Sequence, residues 1–407
     1  MKYTVKNIAW ITCIFAPMPN SGSVTIEVMA KAGSIYETRE TNGISHFLEH
    51  MFFKGGKKYP TPKSVAEAVD SFGWEFNAYT GDDYAGYYVK AAPQFTDKAI
   101  DVLSDMMLHA RFPKAEMERE KGVVIQEIMM YEDNPARLVM DKWKHYYYGD
   151  NSYGWATLGP VENIKSFTQE HLFAHKEELY TKDNIIIVVA GNLLNQDSIE
   201  QQIGESFNEL PVSTTVKKPA YPQYKPKEKQ GFYDKWTQQN HLIISADWFA
   251  ENADEKYAAN ILATILGGNM SSRLFQNIRE KQWLCYYINA RHYTSPDDGV
   301  FVMRAWIDKE RFDFGLEKIY AEITDVAAWN FDEQEFTNAI NATIWWMQIG
   351  IETSDDVSTF LGMQQLLYNA IIPLEQKVTA YKNVSYTQVK NIAKKLLNEY
   401  LYLYYIK

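Results

Sequence analysis

Two well-separated stretches of this chain recur at one spacing, and that recurrence limits the fold more than any other feature. FPKAEMEREKGVVIQE begins at Phe112, and FDEQEFTNAINATIWW begins 219 residues later at Phe331. FTQEHLFAHKEEL begins at Phe167, and YTQVKNIAKKLLN begins at Tyr386, at the same offset of 219. Each member of the second pair reads as a helix followed by an apolar strand, IIIVVAGN in one case and YLYLYYIK in the other. Identities are few, but one offset shared by two distant segments marks a degenerate tandem duplication. The length of 407 residues agrees, since it exceeds one ordinary core and suits two domains of roughly 200 residues each. Between the halves, the segment from Pro211 to Gly231 is rich in proline and lysine and has no apolar periodicity, the composition of an extended linker. The expected fold is α+β, with two tandem homologous domains at 1–212 and 230–407 and a linker at 213–229. Each domain is expected to be a mainly antiparallel β-sheet flanked by helices. Residues 23–34 alternate as a strand, and 97–109 with 114–132 form a helix pair broken at Pro113. In the second half, 255–266 and 312–328 read as helices.

The net charge of −11 argues against nucleic-acid binding, which needs clustered Lys and Arg to displace counterions. It favours basic ligands. Two cysteines, Cys13 and Cys285, supply neither a disulfide framework nor a thiolate zinc site. The apolar run at 8–18 is interrupted by Thr12 and has no small-residue cleavage site after it, so it reads as a strand rather than a secretory signal. No stretch approaches the ~20 apolar residues of a membrane span. The expected setting is cytoplasmic, without a membrane.

The chemistry concentrates in His46-Phe47-Leu48-Glu49-His50. Thr41 or Asn42 can cap a helix here. Ile44, Phe47, Leu48, Met51 and Phe52 then share one apolar face. His46, Glu49 and His50 fall on the other side, one turn apart. Two imidazoles at i and i+4 can hold a zinc ion, and a neighbouring carboxylate can act as base toward an activated water. A solvated polar face is the plainer alternative. It is disfavoured by the placement of Glu49, by the apolar MFF that follows, and by a third donor, Glu127, set in the apolar GVVIQEIMM. A buried carboxylate there is costly unless paired or bound to metal. Glu120 lies two turns earlier on the same face and can orient a ligand. At the offset of 219 the counterparts of Glu127 and Glu120 are Trp346 and Ala339, so the chemistry belongs to the first half. A second i, i+4 pair, His171 and His175, sits on a polar helix with no acid in place and reads as two surface histidines.

The order His-x-x-Glu-His inverts the commoner His-Glu-x-x-His and marks an inverzincin. Together with GSIYE, GISHFLEHMFFKG, NAYTGDDYAGYY at 77–88 and SSRLFQNIREKQWLCY at 271–286, it resembles the pitrilysin-type zinc metallopeptidase family. The half-size members, similar to mitochondrial processing peptidase and to bacterial processing-protease-like peptidases, match best in length. The resemblance implies that His46, His50 and Glu127 are the zinc ligands, with one Zn2+ per catalytic domain. It implies Glu49 as the base and Glu120 as a supporting acid. It makes Asn77, Ala78, Tyr79 and Thr80 the strand along which substrate lies as an added strand. Arg279 and Tyr286 match an Arg–Tyr pair that meets substrate near the scissile bond. Because one chain carries both the motif and that pair, the resemblance implies a homodimer enclosing a chamber. The expected function is a zinc-dependent endopeptidase acting on unfolded or extended peptides, basic ones favoured. The alternative is a catalytically silent peptide-binding or assembly subunit of a hetero-oligomeric peptidase.

Overall fold

A computed structural model describes residues 1–72, 75–212, 216–398 and 401–407. Residues 213–215 of the expected linker and Tyr400 of the last expected strand lie outside the described residues. The chain forms two units. The first comprises residues 1–130, 150–220 and 351–372, and the second comprises 131–149, 221–350 and 373–407.

The first unit is built on six strands, β1 (Thr4–Ile8), β2 (Ile11–Pro17), β3 (Val24–Ala30), β4 (Glu75–Thr80), β5 (Ala85–Ala91) and β6 (Ile185–Gly191). They lie in the order β1-β2-β6-β3-β5-β4. Only β2 and β6 run parallel; the other neighbours are antiparallel. Every residue of β3 and β6 is buried, because both faces of the sheet centre are covered. The second unit contains β7 (Gln230–Tyr233), β8 (Gln239–Asp247), β9 (Cys285–Thr294), β10 (Gly299–Asp308) and β11 (Tyr402–Ile406). Their order is β7-β11-β8-β10-β9, again with a single parallel pair, β7 with β11. Without β1, the two sheets have the same order and the same strand senses. The helices read from sequence appear as Thr96–Leu108, Lys114–Glu132, Lys256–Gly267 and Phe312–Ala327. Among the described residues no helix is long and apolar enough to cross a membrane.

The strands divide between the sheets by chain half, but two helices do not. Helix Pro135–Tyr148 comes from the first half and covers the second sheet. Its Leu138, Val139, Trp143 and Tyr147 pack with Ile243, Val300, Val302, Tyr402 and Tyr404, and the Trp143 indole donates to Ser245 Oγ at 2.9 Å. Helix Ser354–Tyr368 makes the reciprocal move. Val357, Leu361 and Leu366 pack with Ile14, Met29, Ile186 and Val188 of the first sheet. Apolar periodicity shows that a helix has a face to bury and cannot show which sheet receives it. This second helix also meets an ionisable group. Glu27 of β3 is buried, and it accepts hydrogen bonds from Ser358 and from Tyr79, each at 2.5 Å. Burial pushes the Glu27 carboxyl above its usual range against those hydrogen bonds.

Leu361 is fully buried in that contact. Leu361→Ala is expected to cost about 2–5 kcal/mol of unfolding free energy by leaving a cavity, read from the urea midpoint of the metal-free protein.

Candidate metal centre

Helix Ile44–Phe52 sets the site. Ile44, Phe47, Leu48, Met51 and Phe52 are all buried in the first core, and their stripe fixes the helix's rotation. Phe52 meets Tyr87 of β5 edge-on, with ring centroids 5.1 Å apart. The helix does not start as its sequence suggests. Neither Thr41 nor Asn42 caps it. Its N-cap is Gly43, at φ 98° and without a side-chain cap. A Cβ there would stand 2.6 Å from the carbonyl oxygen of Leu158, so glycine is required. The cap comes from outside the helix. The buried Glu37 carboxylate accepts from the backbone N–H groups of Gly43 and Ser45, both at 2.8 Å, and from Asn42 Nδ2 at 2.9 Å. A carboxylate at a helix N-terminus also meets the positive end of the helix dipole. Burial raises the Glu37 carboxyl, and these donors oppose the rise.

Three donors converge beyond this helix. Glu127, on Lys114–Glu132, puts Oε2 3.6 Å from His46 Nε2 and 3.5 Å from His50 Nε2. The donor atoms of His46, His50 and Glu127 all lie within 4.8 Å of one another. Tetrahedral zinc ligands at ~2.0–2.1 Å from the ion stand about 3.3 Å apart, so the carboxylate–imidazole spacings suit that ion. A tetrahedral ion held by these two nitrogens and one oxygen would keep one position for a further ligand. Glu120, on the same helix as Glu127, pairs with His50 Nδ1 at 2.9 Å and with Lys54 Nζ at 2.7 Å. The bond at Nδ1 leaves Nε2 as the His50 nitrogen that faces Glu127 and the metal position they share. Burial alone would raise the Glu120 carboxyl, but hydrogen bonds from His50 and Lys54 outweigh it and hold it low. Burial and the neighbouring His50 push His46 down to about 4. Burial also opposes charge on His50, yet its bonds to Glu120 and Glu127 raise it to about 9. A metal ion takes imidazole in its neutral form, so binding here competes with protons.

Glu49 sits between the two imidazoles in sequence and is mostly buried. Its Oε2 accepts from Thr80 Oγ1 at 2.5 Å. Burial pushes this carboxyl up, and the Thr80 bond works against that. Thr80 ends β4, the outermost strand of its sheet. The turn bond from Gly81 N to the Tyr84 carbonyl, with the register Tyr79↔Gly86 and Ala78↔Tyr87, puts the backbone groups of Ala78 and Thr80 on the open side. Ala78 N–H is met there by Asn77 Oδ1 at 2.9 Å. The Tyr79 ring takes the opposite face of the sheet and is tied to Glu27, so its side chain is turned from the metal cluster.

The other residues singled out by sequence separate clearly. His175 is not a surface histidine. It is buried, and its Nε2 lies 2.9 Å from the hydroxyl of Ser45, the residue before His46. Burial holds it neutral, with a pKa pushed down to about 4. Periodicity missed it because HLFAHKEE is polar on average while the one turn facing Ser45 is not exposed. His171 is exposed, as expected. In the second unit, Arg279 and Tyr286 do meet. The guanidinium lies 5.5 Å from the centre of the Tyr286 ring and 4.5 Å from that of Phe275. Arg279 belongs to a wide helical turn closed by the bond from Lys281 N to the Gln276 carbonyl. Tyr286 is the extra residue of a β-bulge. Trp306 pairs with Tyr287, and Ile307 already pairs with Cys285. The bulge turns Tyr286 to the face that carries Trp306, with the rings 6.3 Å apart and nearly parallel.

Two substitutions probe this frame. Glu37→Ala leaves two helix-start N–H groups without their acceptor and is expected to cost about 1–3 kcal/mol of stability in urea unfolding. Glu120→Gln is expected to weaken zinc binding by about 10–100-fold in chelator competition.

Comparison with known proteins places this arrangement. The family described as Insulinase (Peptidase family M16) matches residues 14–161, and the one described as Peptidase M16 inactive domain matches residues 166–343. A Bacillus subtilis (strain 168) protein named as the uncharacterized zinc protease YmxG is 31% identical over 400 residues, covering 98% of this chain and 96% of its own. An uncharacterized zinc protease of Rickettsia felis is 32% identical over 392 residues, covering 95% and 93%. In fold, a protease from Helicobacter pylori superposes with a TM-score of 0.90 at 19% identity, covering 100% of this chain and 99% of its own. A half-size chain that repeats one sheet order, gathers His46, His50 and Glu127 in the first copy, and aligns end to end with these relatives belongs to peptidase family M16, the insulinase family.

Proposed function

We propose that this chain is a zinc-dependent endopeptidase that hydrolyses extended peptides. The convergence of His46 Nε2, His50 Nε2 and Glu127 Oε2, with Glu49 on the same helix, carries the reading. Those three residues would hold one zinc ion, which supplies a Lewis acid that acidifies water and polarises a peptide carbonyl. Glu49 then takes the proton of the attacking water and returns it to the leaving amine. Its raised carboxyl, buried beside the imidazoles, suits both halves of that shuttle. Glu120 and Lys54 keep His50 in the orientation and tautomer that binding needs.

Substrate enters as a strand added to the open side of β4, paired with the backbone of Ala78 and Thr80. This mode recognises main chain rather than sequence. Arg279 and Tyr286 offer hydrogen-bond donors to a carbonyl or its oxyanion. We propose a homodimer in which a second copy brings its own Arg279–Tyr286 pair to the metal centre, the two copies enclosing a chamber that admits only small or unfolded peptides. The net charge of −11 favours basic peptides among them.

The test is cleavage of a quenched fluorescent basic peptide by the purified chain, with zinc content and oligomer mass measured alongside. Chelator treatment is expected to abolish cleavage and added zinc to restore it. Glu49→Gln is expected to keep its zinc and lose about 10²–10⁴-fold in kcat. A dimer mass is expected in both. Full activity in chelator-treated, zinc-free protein would refute the zinc reading. Bound zinc without cleavage would favour a silent peptide-binding subunit.

A further inference from the structure

We infer that Thr80 is a positioning residue for Glu49, and that a strand bonded along β4 steadies the base through it. This rests on the peptidase reading above.

A glutamate side chain has three rotatable bonds and scatters unless something holds it. Among the described residues, the single hydrogen bond to the Glu49 side chain comes from Thr80 Oγ1, at 2.5 Å to Oε2. It occupies one carboxylate oxygen and leaves Oε1 to receive a proton. Threonine suits the task because its branched Cβ restricts χ1, so the hydroxyl is presented by a stiff side chain.

Thr80 is itself fixed on two of its three sides. Its neighbour Tyr79 is anchored through the sheet to the buried Glu27. The Gly81 N–H closes the turn onto the Tyr84 carbonyl at 2.8 Å. The remaining side is the open edge, where the backbone of Thr80 points outward. A peptide that pairs there bonds to the residue whose hydroxyl holds the base. Occupancy of the edge and orientation of Glu49 are thereby coupled through one residue, with no movement of either helix.

The experiment compares zinc-loaded wild type, Thr80→Val and Thr80→Ser as full chains, by steady-state kinetics on the quenched peptide and by crystal structures. Valine keeps the shape and removes the hydroxyl; serine restores the hydroxyl. Thr80→Val is expected to lose about 10–100-fold in kcat, as for a misplaced catalytic group, while KM stays within about two-fold and zinc content is unchanged. Thr80→Ser is expected to recover most of the loss, and Glu49 to leave its wild-type rotamer only in Thr80→Val. An unchanged kcat in Thr80→Val, or a rise in KM alone, would overturn the inference and make Thr80 a substrate contact only. If valine prevents folding, Thr80→Ala removes the same hydroxyl and is read the same way. If zinc-loaded wild type cleaves nothing, the peptidase reading falls by itself. The crystal structures then decide: a Glu49 rotamer unchanged in Thr80→Val overturns the positioning, and a displaced one supports it.

Discussion

The apolar stripe of helix Ile44–Phe52, sunk into the first core, governs everything else at the site. Five large side chains on one face leave the helix no freedom to roll, so His46, Glu49 and His50 leave it on one side, where polar bonds from Glu120 and Thr80 then orient His50 and Glu49. What the stripe does not fix is the start of the helix. Glu37 supplies that, from a segment that folds back over the first turn and gives its carboxylate to two backbone N–H groups. Burying a carboxylate is costly, and here three donors compensate for it. The supporting acids follow the same logic. Glu120 and Glu127 lie on one helix, two turns apart, and each meets an imidazole from Ile44–Phe52. Two helices are thus pinned against each other by the pairs that prepare the donor set.

Much of this is legible in the sequence because it depends on periodicity. The apolar stripe, the i, i+4 histidines and the two-turn spacing of Glu120 from Glu127 are properties of a single helix. The offset of 219 likewise reports two sheets of one order, since duplicated segments keep their strand sequence. What escapes is whatever depends on a neighbour distant in the chain. His175 reads as exposed because its own helix is polar, and only the packed structure reveals Ser45 opposite it. Thr41 and Asn42 read as caps by residue type, while the actual acceptor is several residues upstream. The Tyr286 bulge is a miscount between two strands and has no signature in either strand alone. Lys54 and Thr80 lack any motif logic that would assign them to Glu120 and Glu49.

The second copy of the repeat shows which parts of the design belong to folding and which to chemistry. It keeps five strands in the same order with the same single parallel pair. It also keeps a buried helix, Lys256–Gly267, and a long helix, Glu333–Ile349. At the positions corresponding to the two acids it has Trp346, half exposed, and Ala339, buried. Among the described residues no second group of metal-holding side chains accompanies it, so the sheet and its helices are a stable answer to burial by themselves, and the cluster is an addition carried by a few side chains.

The reciprocal placement of helices Pro135–Tyr148 and Ser354–Tyr368 has a consequence for how the chain can be divided. Severing it at the linker does not yield two self-sufficient pieces. A fragment ending at residue 212 would bare the sheet face formed by Met29, Ile186 and Val188, and it would carry an aromatic helix with no sheet of its own to cover. The other fragment would be left with the complementary defect. Such pieces have strong reason to reassociate, because each holds the missing wall of the other. A gene for this fold can thus be split in two and still specify one protein, provided both products are made together.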